Sequence, residues 1–265
     1  MQKKWHALRL PPSDEGLVWE LFHENSKTSR YQSFLPDALV VAEMQQLHES
    51  LPYANFPAMA LPGSLTPLKL SLADAIVARV TAQHIEPCAL TLEQVATMLY
   101  YAYGVTRDNE DTLFVRPFRT IPSGGALYPL EIFFHSTHVE GLAPGIYHYN
   151  AAEHRLAFVR EGDATCTIAE ALVQQNLAAD SALIFFTTAL FDRTIFKYGD
   201  RGYRFVFLEA GHVAQNINLV ATALGFGCVN IGGFFDRQVD ELLGLDGLMH
   251  STIYLTAIGR RLEDS

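Results

Sequence analysis

The stretch "RTIPSGGALYPLEIFF", Arg119 to Phe134, decides how this chain is read. Its second half has strand composition, and a proline, a serine and two glycines stand just before it. Pro122-Ser123-Gly124-Gly125 thus brings backbone without side chains to the mouth of a buried strand. Bare N–H groups in such a place suit a flat or anionic ligand. A flavin is the ligand expected here, because its ring needs donors at its heteroatoms and no side chain in the way.

A second glycine turn, Ile231-Gly232-Gly233-Phe234, follows a short strand, "CVNI", and precedes a short helix, "DRQVDELLGL". It offers another bare N–H, suited to the N5 edge of the same ring. The cationic element is Arg79, with Thr81 and Gln83 close behind it, and the pair Arg260-Arg261 after the last strand. Guanidinium groups beside a hydroxyl can clamp one phosphate. Taken alone, each glycine turn also reads as an ordinary loop, and the arginines as a solvated charge cluster.

Around these turns the pattern is mixed. "SLADAIVARV" opens with Ser71 and Asp74 in a near capping box, with Leu72, Ile76 and Val80 at helical spacing. "TLEQVATMLYYAYG" repeats the device with Thr91 and Gln94 and stops at Gly104. A polar loop, "VTRDNEDTLFVRPFRT", leads to the glycine turn. "GIYHYNAAEHRLAFVREGD" reads as a hairpin turning at Asn150–His154, "TIAEALVQQNLAA" as one amphipathic helix, and "SALIFFTTAL" as a buried strand. Phe205–Gly227 reads as the central helix, with Val213, Ile217, Val220 and Leu224 as its apolar stripe, and "STIYLTAIGR" as the last strand. The hairpin breaks a strict βαβ order, so the class is α+β or mixed α/β. Residues 1–70 carry many prolines and little periodicity; they are expected to form an extended arm with one helix around Leu17–Asn25, ahead of a body over 71–265.

Composition narrows the functions available. Hydrophobic residues make up 49% of the 265, and charged residues 18%, which suits a packed core. The formal net charge of −10 argues against a nucleic-acid partner. Cys88, Cys166 and Cys228 are far apart with no C-x-x-C, as expected of buried thiols in a reducing compartment rather than a disulfide or zinc framework. No apolar run reaches membrane-spanning length, and "MQKKWHALRLPPSDEG" lacks the apolar core of a secretory signal, so a cytoplasmic location is expected.

The order of "PSGGALYPLEIF", "KYGDRGYRFVFLEAGHVAQNINLVATALGFG", "NIGGF" and "AIGR" resembles the nitroreductase-fold flavoproteins, more narrowly the SagB-type dehydrogenases that oxidise azolines in ribosomal peptides. The resemblance covers roughly residues 70–262, and "FHENSK", Phe22–Lys27, is similar to that subgroup's arm. It implies an α+β fold with a mainly antiparallel central sheet flanked by helices. It also implies FMN at a homodimer interface, a small-molecule or peptide substrate, and a cyclodehydratase-type partner.

The family's phosphate segment, Arg-Arg-Ser-x-Arg, matches Arg79-Val80-Thr81-Ala82-Gln83; two cations are missing, which throws more of the phosphate onto Arg260. Pro122, Ser123, Gly124 and Gly125 would line the ring, with Gly232 or Gly233 at N5. Lys197-Tyr198 matches the pair held to remove a proton while hydride leaves to the flavin, which dioxygen then reoxidises. Either side chain needs burial or a cationic neighbour to act as a base near neutrality, and Arg193, Arg201 and Arg204 are near in sequence. The structural reading of the pair is a packed tyrosine and a solvated lysine. An NAD(P)H-fed nitro or quinone reductase, or a non-catalytic subunit of a peptide-modifying complex, are the competing functions. His135 and His138 are expected to be surface or hairpin histidines, His212 an interior polar group, and Tyr100, Tyr101 and Tyr103 packing residues.

Overall fold

The structure, a computed structural model, describes residues 18–31, 35–109 and 116–262. The N-terminal run read as no secretory signal and the middle of the polar loop lie outside them. The elements in order are α1 (Val18–Asn25), α2 (Asp37–Gln46), β1 (Ala58–Ala60), α3 (Leu72–Ala78), β2 (Ile85–Glu86), α4 (Leu92–Tyr103), β3 (Val105–Arg107) and β4 (Phe118–Arg119). They continue through β5 (Leu130–Ser136), β6 (Gly145–Asn150), β7 (Arg155–Glu161), α5 (Thr165–Ala171), α6 (Asn176–Asp180) and β8 (Leu183–Leu190). The chain ends with α7 (Asp192–Tyr198), α8 (Asp200–Ala223), β9 (Gly227–Ile231), α9 (Asp236–Leu243) and β10 (His250–Arg261).

The main sheet runs β1-β7-β6-β5-β8-β10-β2, with β9 also pairing β10, and every pairing between its strands is antiparallel. Strand alternation sorts its side chains onto two faces. Ile132, Phe134 and Phe185 join the core under α4 and α8, whereas Phe133, Ile184 and Phe186 join the core under α5, α6 and α9. This is the α+β, helix-flanked antiparallel sheet expected from the sequence.

Three readings change. The single helix "TIAEALVQQNLAA" is two short ones, because Leu172 is extended and bridges Phe234 while Val173 N–H donates to Gly233 O at 2.9 Å. Pairing with the second glycine turn outweighs local helix propensity there. The central helix begins at Asp200, five residues early and directly after Gly199, and Gly202 lets α7 and α8 meet: a β-carbon there would stand 2.9 Å from Thr194 O. The polar loop is also more ordered than expected at its ends, where β3 and β4 form a two-stranded ribbon.

The first 70 residues are more than an extended arm. They hold α1, the unforeseen α2, and β1, which extends the sheet beside β7. Arg204 holds α1 by donating to Ser26 Oγ at 2.8 Å and His23 O at 2.5 Å. Arg116 donates to Leu47 O, Arg119 to Glu49 O, and Leu51 N–H donates to Glu131 Oε1.

The apolar residues of α3 do not face the core. Leu72, Ile76 and Val77 are 69%, 53% and 84% exposed, and only Ala75 is buried. Among the described residues no helix is long and apolar enough to cross a membrane, and no cluster of metal-ligating side chains occurs.

Candidate active site

Antiparallel register places the two glycine turns. Leu130 pairs Ala189, and Ala189 pairs Ser251, so the turn before β5 and helix α7 after β8 leave the sheet at one end. Ser136, Leu183 and Ile258 mark the other end, where Arg260 lies. Ala82 N–H donates to Cys228 O at 3.1 Å, which ties the Arg79–Gln83 segment to that same end. Ser251 and Arg260 are nine residues apart on β10, roughly 30 Å at ~3.3 Å per residue. Gly232 and Gly233 follow Ile231, whose partner is Leu255, between the two ends.

At the first end the expected residues meet. Ser123 precedes a single 3-10 turn, Gly124–Ala126, in which Gly125 has φ +68°, a left-handed conformation that glycine adopts without strain. A β-carbon on Gly125 would lie 2.8 Å from both Lys197 Nζ and Tyr198 OH. One on Gly124 would lie 3.2 Å from the Phe205 ring. Lys197 and Tyr198 occupy the last turn of α7, which Gly199 (φ +54°) stops. Tyr198 packs edge-on to Phe205, with ring centres 5.0 Å apart, and beside Val40, Met44 and Leu127.

Burial lowers Lys197 below the ordinary lysine pKa, with the nearby Asp37 carboxylate opposing the shift. Burial raises Tyr198. Two of the neighbouring arginines are committed elsewhere: Arg193 pairs Glu131 Oε1 at 2.7 Å, and Arg204 holds α1, while Arg201 lines a small pocket with Tyr198. The Tyr198 shift has burial as its cause, in the direction opposite to a tyrosinate. Of the pair, the lysine amine is the better proton acceptor, and the tyrosine stays a hydrogen-bond donor.

Behind the turn is a polar network that sequence reading missed. Glu209 on α8 is 3% exposed; it accepts a hydrogen bond from Tyr103 OH at 3.1 Å and lines one small cavity with Ser123. Ser123 Oγ in turn accepts Tyr128 N–H at 3.0 Å, and Tyr103 OH accepts Leu130 N–H at 3.0 Å. Burial pushes the Glu209 carboxyl up to about 7, against these hydrogen bonds and the Arg119 and Arg193 charges. Arg119 lies over the Tyr103 and Tyr128 rings. Deeper still, burial acts to raise Glu131, but Arg193 and His148 outweigh it and hold that carboxyl at about 2.

At the other end, Thr81 and Gln83 are exposed and Arg79 is half-buried. Arg260 is paired with Glu86, so its guanidinium is shared with a carboxylate. Gly232 and Gly233 are exposed; a β-carbon would meet only Tyr254 at 3.9 Å on the first and Val173 at 3.4 Å on the second. The bare Gly232-Gly233 backbone and the hydroxyl-plus-guanidinium end fit FMN, and the turn at Gly124 and Gly125 adds backbone over which Phe205, Lys197 and Tyr198 stand. No single end of the chain contains all of them.

Several other expectations are corrected. His135 is 4% exposed and accepts Ala164 N–H at 3.0 Å, so it is no surface histidine. His212 is exposed beside Pro122, Ser123 and Gly124 rather than interior. Cys166 is exposed, while Cys228 is buried.

Residues 76–260 match the model of the nitroreductase family, and the chain belongs to that family. A protein named as a nitroreductase in Methanocaldococcus jannaschii is 34% identical over 195 residues, 74% of this chain and 93% of that protein. The trifolitoxin-processing protein TfxB of Rhizobium leguminosarum bv. trifolii is 26% identical over 66% of this chain, and the microcin B17-processing protein McbC of Escherichia coli is 34% identical over 48%. The matches span 48% and 49% of those two proteins. Among solved structures, a protein described as a nitroreductase from Anabaena variabilis superposes with a TM-score of 0.74 at 25% identity, over 96% of this chain and 49% of that one. The fold also recurs in the E. coli microcin synthetase McbBCD complex with truncated pro-MccB17: TM-score 0.60, 23% identity, 93% of this chain and 92% of that one.

Proposed function

We propose that this chain is an FMN-dependent oxidoreductase of the SagB type that dehydrogenates a heterocyclic or peptide-derived substrate, azoline to azole. The observation that carries the reading is the convergence of Lys197 Nζ and Tyr198 OH on Gly125, a base and a donor at the turn before β5. Arg79, Thr81, Gln83 and Arg260 would hold the phosphate, Pro122 to Gly125 and Gly232 or Gly233 the ring. FMN bound there supplies a two-electron acceptor. In this reading Lys197 takes the proton the substrate loses, and Tyr198, kept protonated by burial, donates a hydrogen bond to the substrate.

The opposite placement of the two half-sites supports a homodimer in which one chain's glycine turn faces its partner's phosphate clamp. The exposed Leu72, Ile76 and Val77 of α3, and Phe207 and Leu208 of α8, are apolar faces that a second copy would cover. A peptide substrate is supported by the relatives that process trifolitoxin and microcin B17. It is also supported by a groove of about 1130 Å³ between α1, α2 and the α7–α8 corner. That groove shares Gly199 and Asp200 with the pocket at Tyr198. A cyclodehydratase-type partner belongs to the same reading.

The M. jannaschii relative favours a second reading, an NAD(P)H-dependent nitro or quinone reductase. The test is anaerobic. Purified protein that is yellow, is bleached by an azoline-bearing peptide and leaves that peptide two hydrogens lighter fits the first reading. Rapid bleaching by NADPH with no peptide oxidation replaces it with the second. Protein that takes up no FMN on titration favours a non-catalytic subunit.

A further inference from the structure

Glu209 is a buried carboxyl whose role the proton transfer above does not use. It lines a cavity of about 250 Å³ with Pro122, Ser123, Gly124, Phe205, Leu208 and His212, directly against the turn expected to carry the flavin ring. The groups facing it come from four other elements. They are Tyr103 on α4, Arg119 on β4, Ser123 and Tyr128 at the turn, and Arg193 on α7; His212 lies one helical turn along α8. Arg119 is held by Glu49 O and Arg193 by Glu131, so neither closes a direct salt bridge on Glu209.

We propose that Glu209 is a positioning residue that sets, through Ser123, which hydrogen-bonding face the glycine turn offers to a bound ring. This rests on the flavin reading above. Ser123 has one hydroxyl hydrogen to give. When Glu209 is ionised it accepts from Tyr103 and attracts the hydroxyl of Ser123 on the same cavity, so the single Ser123 hydrogen turns inward. Ser123 Oγ already accepts Tyr128 N–H, and the side chain offers the cavity no donor. When Glu209 carries a proton, its own O–H can donate to Ser123 Oγ, and the Ser123 hydrogen is free to turn outward, where a bound ring would find a donor. The protonated state also removes a negative charge from the cavity beside the glycine turn. Glu209 changes state near neutrality because burial raises it to about 7.

The test uses the intact chain. FMN affinity is measured by fluorescence quenching from about pH 6 to about pH 8, for wild type, Glu209→Gln and Ser123→Ala. The difference between wild-type and Glu209→Gln profiles cancels the titration of the FMN phosphate. Wild type is expected to bind about tenfold more tightly on the acid side, the size of one net hydrogen bond. Glu209→Gln is expected to lose that dependence, and Ser123→Ala, in which Glu209 still titrates, to lose the hydrogen-bond part of it. Glu209→Asp, which titrates but is too short to reach Ser123, should lose it too, and it replaces Glu209→Gln if that variant does not fold. A Glu209→Gln or Glu209→Asp profile parallel to wild type overturns the proposal.

A second readout needs no flavin. With ¹³C-labelled glutamate, Ser123→Ala should shift the Glu209 carboxyl titration upward, because a hydroxyl that favours the carboxylate is lost. An unchanged midpoint overturns the coupling. Failure of wild type to bind FMN at any pH removes the flavin reading while leaving this second result to stand or fall alone.

Discussion

Tyr198 and Gly125 sit so close that a β-carbon on the glycine would stand 2.8 Å from the tyrosine oxygen, and equally close to Lys197 Nζ. The glycine is therefore doubly required, by its φ of +68° and by what lies over it. Gly125→Ala is expected to cost about 1–2 kcal/mol in stability from left-handed strain alone. It should also push the Lys197–Tyr198 pair aside and lower turnover at least tenfold. Chemical denaturation and a rate assay on the same sample check both. Unchanged turnover would mean the pair does not work at this turn.

Lys197→Ala should lower turnover by about 10²–10⁴-fold, the usual size of a general-base contribution, and leave the flavin spectrum unaltered. Because burial holds Lys197 below the ordinary lysine value, activity should rise with pH as the amine loses its proton, with the midpoint below ~10.4. That limb should vanish in Lys197→Ala and persist, at a lower rate, in Tyr198→Phe. A limb that survives loss of the lysine assigns the base elsewhere.

Glu131 joins Arg193, His148 and the arm's Leu51 N–H in one buried cluster. Glu131→Gln leaves Arg193 without its charge partner and should cost about 3–5 kcal/mol. The folded carboxyl titrates at about 2, below its ordinary 4.5, so its contribution is complete above that ordinary value. It is lost as pH falls from there toward about 2. Thermal unfolding in acid should show this loss in wild type and not in Glu131→Gln.

What was legible in the sequence was local. A glycine pair before a strand, a capping box at Thr91 and Gln94, and a Lys-Tyr step before Gly199 all announce themselves within a few residues. What was hidden depends on chain separation or on partners. Tyr103 meets Glu209 across 106 residues, and no spacing rule connects them. The helix of residues 165–180 breaks because the Gly233 turn pairs with it from a distant part of the chain. The stripe of α3 was read correctly as helical at Leu72 and Ile76, though the helix stops at Ala78 and leaves Val80 outside it; periodicity does not say whether an apolar face meets the chain's own core or another copy. Helix α2 left a readable trace, Pro36 followed by Asp37 with Val40 and Met44 four apart, which the surrounding prolines obscured.

The claim on which the account rests is that the flavin lies between the glycine turn of one chain and the phosphate clamp of a second. Mixed dimers test it most directly. Gly125→Val and Arg79→Glu chains are purified apart, mixed under exchange conditions, and titrated with FMN. Each alone should bind little, and mixed dimers should recover one site of two, since one interface then joins an intact turn to an intact clamp. If mixing restores no binding although the two chains exchange, the site lies within a single chain and the account is contradicted.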